Sequence, residues 1–187
     1  MFYTEANYEN ALIELFKENL EYKTVCGYDI ERNLKSPVYD AILEESIFRI
    51  NKGKPYEAIK NALRMLKDFE NGSLVQKNAV FTDYLQNGIS ARYIENGEER
   101  STLIYLVDWK NIDNNSFICA NQWTFIENSN RRPDMILFVN GLPLVLIELK
   151  SPSREDTDAS EGYLQIRNYM HEIPSMFYYN QICVISD

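Results

Sequence analysis

Two carboxylates and one amine flank apolar segments in the second half of the sequence, and their types and spacing suit metal-assisted hydrolysis. Asp134 precedes the apolar run Met135–Val139, and Glu148 and Lys150 close the next apolar run. Because side chains alternate along a strand, Glu148 and Lys150 share one face while Leu149 points to the other. The two carboxylates, helped by the backbone carbonyl of Leu149, can hold Mg²⁺. Such an ion activates a water for attack on a phosphodiester, and a nearby ammonium stabilises the developing charge.

The connection between the two apolar runs decides whether the carboxylates can meet. With a regular two-residue turn at Asn140–Gly141, Asp134 would lie on the opposite face from Glu148, and they could not share a metal ion. A shift of one residue, which places Val139 opposite Pro143, brings the two carboxylates across from each other. We therefore predict an odd loop length or a β-bulge between Val139 and Leu144.

The Glu-x-Lys triplet is a weak signal by itself. The same triplet occurs at Glu21–Lys23, in a segment that we predict to be a loop after a helix. The competing interpretation of Glu148 and Lys150 is an ordinary salt bridge at a strand end, because a charge buried there needs a partner.

Composition narrows the class of protein. The chain has 187 residues, 45% of them hydrophobic, so we expect one core and a single domain over residues 1–187. A formal net charge of −9 argues against binding of nucleic acid through overall positive charge. A nuclease stays compatible with this charge, because its metal site needs carboxylates and its basic residues can lie on one face. His171 is the only histidine, which excludes a His-based triad and a multi-His metal site.

Cysteine usage and the apolar runs indicate a cytoplasmic protein. Cys26, Cys119 and Cys183 are odd in number and scattered, so we expect neither a zinc site nor disulfides. The first ten residues carry acidic groups and no apolar core segment, so we expect no signal peptide. No apolar run is long enough to span a membrane. The chain ends directly after a predicted strand, which leads us to expect the first domain of a longer protein.

The order of predicted elements indicates a mixed α/β domain with helices flanking a central sheet. Ser36 as N-cap and Pro37 at the first helical position mark one helix start. Asn96–Gly97 predicts a hairpin turn. The predicted helices cover residues 4–20, 36–50, 55–71, 74–85 and 158–171. The predicted strands cover residues 89–94, 101–109, 117–126, 135–139, 144–150 and 181–185.

The hairpin resembles the PD-(D/E)xK nuclease motif, in the form found at the N-terminus of the R (motor) subunit of type I restriction enzymes. The similarity covers most of the chain and is most specific from about Asp108 onward. Matching segments are Asn114–Phe117, Asn121–Gln122, Arg131–Asp134, Phe138–Leu144, Ile147–Lys150, Gln165 with Tyr169, and Phe177–Asp187.

This resemblance implies a restriction endonuclease-like α/β core that cuts double-stranded DNA with Mg²⁺. It implies Asp134 and Glu148 as metal ligands and Lys150 as the catalytic lysine. It also implies a helicase-like ATPase later in the same polypeptide, so ATP would bind outside this chain. The expected partners are double-stranded DNA and the methylation (M) and specificity (S) subunits of a restriction complex.

Two further groups extend the predicted site on the strength of this resemblance. Gln165 and Tyr169 match a Gln-x-x-x-Tyr element, and their spacing places them on one helix face, near DNA or the site. The alternative is that Tyr169 is a core residue and Gln165 an exposed helix residue. Related nucleases often add an acid from the first helix. Glu9 is our choice over Glu14, because Glu9 lies on the apolar stripe of that helix; a cap-proximal acid is the alternative.

Three arginines, Arg131, Arg132 and Arg154, flank the hairpin in an otherwise acidic chain. They are candidate phosphate contacts, with ordinary solvated arginines as the alternative. Two other functions compete with the nuclease: a catalytically silent docking module of the same motor subunit, and a stand-alone repair nuclease on this fold. No base-reading motif occurs in the sequence, so sequence choice is expected to lie elsewhere in the complex.

Overall fold

The computed structural model describes residues 5–150 and 159–186, and it contains helices on both sides of a mixed sheet. Its five α-helices are α1 (Glu5–Asn19), α2 (Asp40–Ile50), α3 (Tyr56–Lys67), α4 (Leu74–Asn87) and α5 (Ala159–Glu172). Its strands are β1 (Lys23–Cys26), β2 (Ile89–Glu95), β3 (Glu98–Ile104), β4 (Phe117–Asn121), β5 (Phe125–Ile126), β6 (Asn130–Arg131), β7 (Met135–Val139), β8 (Leu142–Leu149) and β9 (Ile182–Ser186). None of these helices is long and apolar enough to cross a membrane.

Five strands form the central sheet, in the order β1-β4-β7-β8-β9. The two inner pairings, β4 with β7 and β7 with β8, are antiparallel, whereas the two edge strands run parallel to their neighbours. The predicted hairpin is therefore β7–β8, at the centre of the sheet. The fold confirms the predicted α/β class with a mixed central sheet flanked by helices.

The two faces of the sheet are covered by different helices. Alternate residues of β7 and β8 contact α1 on one face and α5 on the other, as expected for strands buried on both sides. Side chains of α1 that cover the first face are Tyr8, Leu12, Ile13 and Phe16. Side chains of α5 that cover the second face are Ile166, Tyr169 and Met170. A third apolar cluster joins α2, α3 and α4 to β2 beside the hairpin turn.

The start of α2 differs from the prediction. Helix α2 begins at Asp40 with Tyr39 as N-cap, not at Ser36 and Pro37. The Tyr39 N–H instead donates to the carbonyl of Gly141, 2.8 Å away, which ties this segment to the hairpin turn. Gly141 has a φ of 80°, and a Cβ there would lie 2.6 Å from the Leu43 nitrogen. Tertiary contact with the turn therefore overrides the local start signal.

Other boundaries also shift. Helix α3 ends at Lys67 rather than near residue 71, and β3 ends at Ile104 rather than at Trp109. The strand predicted over residues 117–126 is broken at Gln122, whose φ is 53°, so it becomes β4 and β5. The short strands β1 and β6 were not predicted. The hairpin turn at Asn96–Gly97 is confirmed, with β2 and β3 paired across it.

The β7–β8 hairpin contains the predicted bulge, although not at the predicted pairing. Asn140 and Gly141 both have positive φ, 52° and 80°, and form a two-residue turn that pairs Val139 with Leu142. The pairing of Val139 with Pro143 is therefore wrong. The extra residue is Leu144, which lies between the pairs Phe138–Pro143 and Leu137–Val145. Its carbonyl accepts a hydrogen bond of 2.8 Å from the Gln181 N–H, which supports the bulge from the side of β9.

Candidate active site

The bulge places the two carboxylates on the same face of the sheet. Met135 pairs with Ile147, and both pack on the α1 side. The next residues along each strand, Asp134 and Glu148, therefore oppose each other and point toward α5. Asp134 also closes the end of the hairpin, because its Oδ2 accepts a hydrogen bond of 2.7 Å from the Leu149 N–H. Leu149 itself is fully buried on the α1 side, as the alternation of the strand predicts.

Glu148 is a buried acid that the protein only half satisfies. The residue is 1% exposed; Oε1 accepts a hydrogen bond of 3.3 Å from the Lys150 ammonium, whereas Oε2 is buried and accepts no hydrogen bond from the described residues. Burial, and after it the charge of Asp134, raise the pKa of Glu148 to about 7, although Lys150 opposes both effects. An ordinary salt bridge would not leave a carboxylate oxygen buried and unpaired beside a second carboxylate.

A hydrogen-bonded row links the lysine to α5. The Lys150 ammonium donates to Gln165 Oε1 at 2.6 Å, and Gln165 Nε2 donates to the Tyr169 hydroxyl at 2.8 Å. Burial raises the pKa of Tyr169 above its ordinary value, so the phenol stays protonated. The predicted i, i+4 pair therefore does share one helix face, and it orients Lys150 through Gln165. Tyr169 is at the same time a core residue, so the two interpretations of this side chain are compatible.

Gly162, which the sequence interpretation missed, sets how closely α5 approaches the lysine. A Cβ at this position would lie 2.6 Å from Ile185 Cγ2 and 3.4 Å from Lys150 Cε. Glycine inside a helix destabilises the helix by about 1 kcal/mol relative to alanine. A glycine at such a position therefore often indicates that another part of the chain packs too close for a side chain. The absence of a side chain here allows Gln165 to reach the lysine.

The resemblance implies DNA cleavage at this site, and Gly162→Ala is then expected to slow that reaction by roughly 10- to 100-fold, because it pushes α5 and Gln165 away from Lys150. Ile185→Ala in the same chain should restore most of the rate, since it removes the methyl group that the new Cβ meets. Cleavage rates of the parent, the two single variants and the double variant, in the assembled enzyme, measure this. A double variant as slow as Gly162→Ala would contradict the role given to this glycine.

Glu9 does not contact Lys150. Its Oε1 accepts hydrogen bonds from Asn121 Nδ2 at 2.7 Å and from Gln122 Nε2 at 3.3 Å. These contacts lie on the side of the sheet covered by α1, whereas Glu148 and Lys150 face α5. The inward-facing carboxylate thus has amide donors as partners. Glu14, the alternative, is exposed.

The three flanking arginines have different surroundings. Nε and Nη2 of Arg131 both donate to the carboxylate of Glu172, at the end of α5, so Glu172 compensates the charge of Arg131. Arg132 is exposed and donates to the hydroxyl of Tyr28. Arg154 lies outside the described residues. Glu172 lies 41 positions from Arg131 in the sequence, and no pattern in the sequence predicted that these two residues would pair.

The donor set fits Mg²⁺. Within residues 5–150 and 159–186, no group of three or more Cys, His, Asp or Glu side chains could hold a metal ion, so Asp134 and Glu148 would act as a pair. Mg²⁺ is commonly bound by one or two carboxylates, with waters and substrate phosphates completing its octahedron. The unpaired Oε2 of Glu148 is an acceptor of the kind that such an ion would engage.

An α/β fold with two carboxylates and a lysine on its central hairpin is restriction endonuclease-like. The chain belongs to the family described as "Type I restriction enzyme R protein N terminus", whose model matches residues 2–187.

Individual relatives agree with this family. The chain is 36% identical over 157 residues to the type I restriction enzyme HindI endonuclease subunit of Haemophilus influenzae; the match covers 83% of this chain and 15% of that protein. It is 33% identical over 189 residues to the putative type I restriction enzyme MjaIXP endonuclease subunit of Methanocaldococcus jannaschii, covering 96% of this chain and 18% of that protein. The chain thus spans less than a fifth of the length of these relatives.

Proposed function

We propose that this chain is the Mg²⁺-dependent endonuclease domain of a type I restriction enzyme R subunit and hydrolyses phosphodiester bonds of double-stranded DNA. The observation that carries the proposal is the buried pair Asp134 and Glu148, with one carboxylate oxygen left unpaired and Lys150 alongside. The relatives named as endonuclease subunits support the same activity.

Each residue of the site has a distinct task in this proposal. Asp134, Glu148 and the backbone carbonyl of Leu149 would hold the ion, which supplies charge neutralisation at the phosphate and activation of a water. Lys150 would stabilise negative charge that develops on the phosphate in the transition state. Gln165 and Tyr169 keep the lysine in place through the hydrogen-bonded row described above.

Other parts of a larger assembly would supply sequence choice and energy. The chain has no G-x-x-x-x-G-K-[ST] segment, so we place the ATP site outside residues 1–187. Its net charge of −9 predicts weak DNA affinity when it acts alone. We therefore propose methylation (M) and specificity (S) subunits as its partners, with recognition of the DNA sequence assigned to them.

Asp134→Ala tests the proposal in the full-length subunit assembled with its partners. Plasmid cleavage should be lost, because one carboxylate cannot hold the ion in place. DNA-stimulated ATP hydrolysis should persist, because it takes place outside this chain. Undiminished plasmid cleavage by Asp134→Ala would refute the site.

A further inference from the structure

We propose that a polar pocket beside the two carboxylates binds a second phosphate of the DNA strand being cut, through Arg132. The inference rests on the proposed nuclease function and adds a substrate contact to it. The pocket is open to solvent and has a volume of about 400 Å³. The residues that line it are Tyr28, Thr124, Asn130, Arg131, Arg132 and Tyr169.

Tyr169 and the short segment between Arg132 and Asp134 connect the pocket to the active site. Only Pro133 separates Arg132 from Asp134 along the chain. Tyr169 forms one wall of the pocket and is also the end of the row that starts at Lys150. The charges of Asp134 and Glu148 in the active site, and of Arg131 in the pocket, all act on the Tyr169 hydroxyl. A strand with one phosphate at the carboxylates would therefore carry a neighbouring phosphate over the pocket.

The charges of the pocket favour an anion. Arg131 donates two hydrogen bonds to Glu172, which hold its side chain in place in the wall of the pocket. Arg132, by contrast, forms no ion pair with any carboxylate of the described chain; it donates one hydrogen bond to the Tyr28 hydroxyl. A guanidinium has five N–H donors in a planar fork that matches phosphate geometry. Arg132 thus keeps its charge and most of its donors for a ligand.

A second arginine adds positive potential behind the pocket. Arg32 stacks on the ring of Trp123, 3.7 Å from its centroid, and donates to the carbonyl of Thr124 at 2.5 Å. Burial lowers the pKa of Arg32 to about 10, so it stays charged at neutral pH. Its Nε and Nη1 are buried without partners, and no carboxylate in the described residues neutralises it. Two uncompensated guanidiniums in so acidic a chain indicate a place for negative charge.

The position of Tyr28 depends on a glycine. A Cβ on Gly27 would lie 2.4 Å from the carbonyl oxygen of Gln122, so only glycine lets the chain pass this close to the end of β4. The crossing brings Tyr28 to Arg132, whose guanidinium lies 5.6 Å from the ring centroid. Tyr28 is 63% exposed, so its ring is free to pack against a deoxyribose while its hydroxyl orients Arg132.

The salt dependence of DNA binding tests the inference. Binding of a fluorescent 20-base-pair duplex by the 187-residue chain would be measured over a range of NaCl concentrations, with Ca²⁺ replacing Mg²⁺ to prevent cutting. Arg132→Ala should reduce the slope of log affinity against log salt by about one and weaken binding roughly eight-fold at 0.1 M salt. Arg132→Lys should keep the slope and lose part of the affinity, because the planar fork is gone.

The matched control is Arg92→Ala, which removes an exposed arginine of β2 that pairs with Glu99, away from the pocket. Arg92→Ala should leave the slope unchanged; equal slopes for the two alanine variants would overturn the inference. This result is independent of the cleavage test. If Lys150→Ala and Asp134→Ala both cut plasmid normally while Arg132→Ala still lowers the slope, the nuclease site fails and the phosphate contact stands.

Discussion

Lys150→Ala is expected to lower the rate of DNA cleavage by roughly 100- to 1000-fold, the loss that follows removal of one preorganised electrostatic group from an active site. Lys150 is the amine held between Glu148 at 3.3 Å and Gln165 at 2.6 Å. Its loss leaves two adjacent carboxylates without the cation that offsets their repulsion. The measurement is the rate of plasmid linearisation by the assembled enzyme, with DNA-stimulated ATP hydrolysis recorded in parallel.

Lys54→Ala is the control for this variant. Lys54 is a surface lysine that contacts Thr102 of β3 at 3.2 Å, outside the site. The Lys54→Ala substitution removes one positive charge, as Lys150→Ala does, and should leave both cleavage and ATP hydrolysis unchanged. A Lys150→Ala enzyme that cuts within a few-fold of the parent would contradict the catalytic role of this lysine.

Glu148→Gln is expected to stabilise the metal-free chain while abolishing cleavage. The parent must hold an ionised carboxylate at 1% exposure, with Oε2 unpaired and Asp134 opposite. A neutral amide still accepts a hydrogen bond from Lys150, although without the added strength of the ion pair, and it can donate to Asp134. With a pKa of about 7 in the folded chain and an ordinary value of 4.5 in the unfolded chain, the expected gain is about 1 to 3 kcal/mol at pH 8.

The pH dependence of this gain has a definite sign. Below about pH 4.5 Glu148 is protonated in both the folded and the unfolded chain, so its burial as an acid adds no penalty. Between pH 4.5 and 7 the unfolded chain ionises first, and the parent loses stability. Thermal unfolding in a chelator should therefore show Glu148→Gln melting roughly 2–10 °C above the parent at pH 8, with little difference at pH 4.5.

Two further comparisons test the cause of this stabilisation. Glu45→Gln, at an exposed glutamate paired with Arg49, should change the melting temperature little at either pH. Added Mg²⁺ should raise the melting temperature of the parent but not that of Glu148→Gln, because binding to the folded state alone stabilises it. A Glu148→Gln chain that melts below the parent at pH 8 in chelator would show that the carboxylate is satisfied within the protein.

The hairpin shows how far the sequence alone could reach. The requirement that Asp134 and Glu148 share a face predicted an irregularity, and the structure contains one. Its location at Leu144 could not be predicted, because it depends on Gln181, 37 residues later in the chain, which donates to the carbonyl of Leu144. The spacing of the residues indicates which side chains must lie together for the chemistry to work. The contacts that bring them together are formed by residues far away in the sequence, which spacing does not reveal.

Glu9 and Arg131 illustrate the complementary limit. The helical wheel correctly indicated that Glu9 faces inward, but it carried no information about which face of the sheet α1 covers. Asn121 and Gln122 are its partners for that reason. The sequence did not distinguish Arg131 from Arg132, because both are arginines beside the hairpin. The structure does, since Glu172 at the end of α5 neutralises Arg131 and leaves Arg132 available.

The most direct test of the central claim is anomalous diffraction from crystals of the chain soaked in Mn²⁺, a substitute for Mg²⁺ with a measurable anomalous signal. We expect a peak between the carboxylates of Asp134 and Glu148, within ligand distance of both and of the Leu149 carbonyl, and its loss in Asp134→Ala. A fully occupied Mn²⁺ bound elsewhere, with no peak between these two carboxylates, would contradict the assignment of the active site.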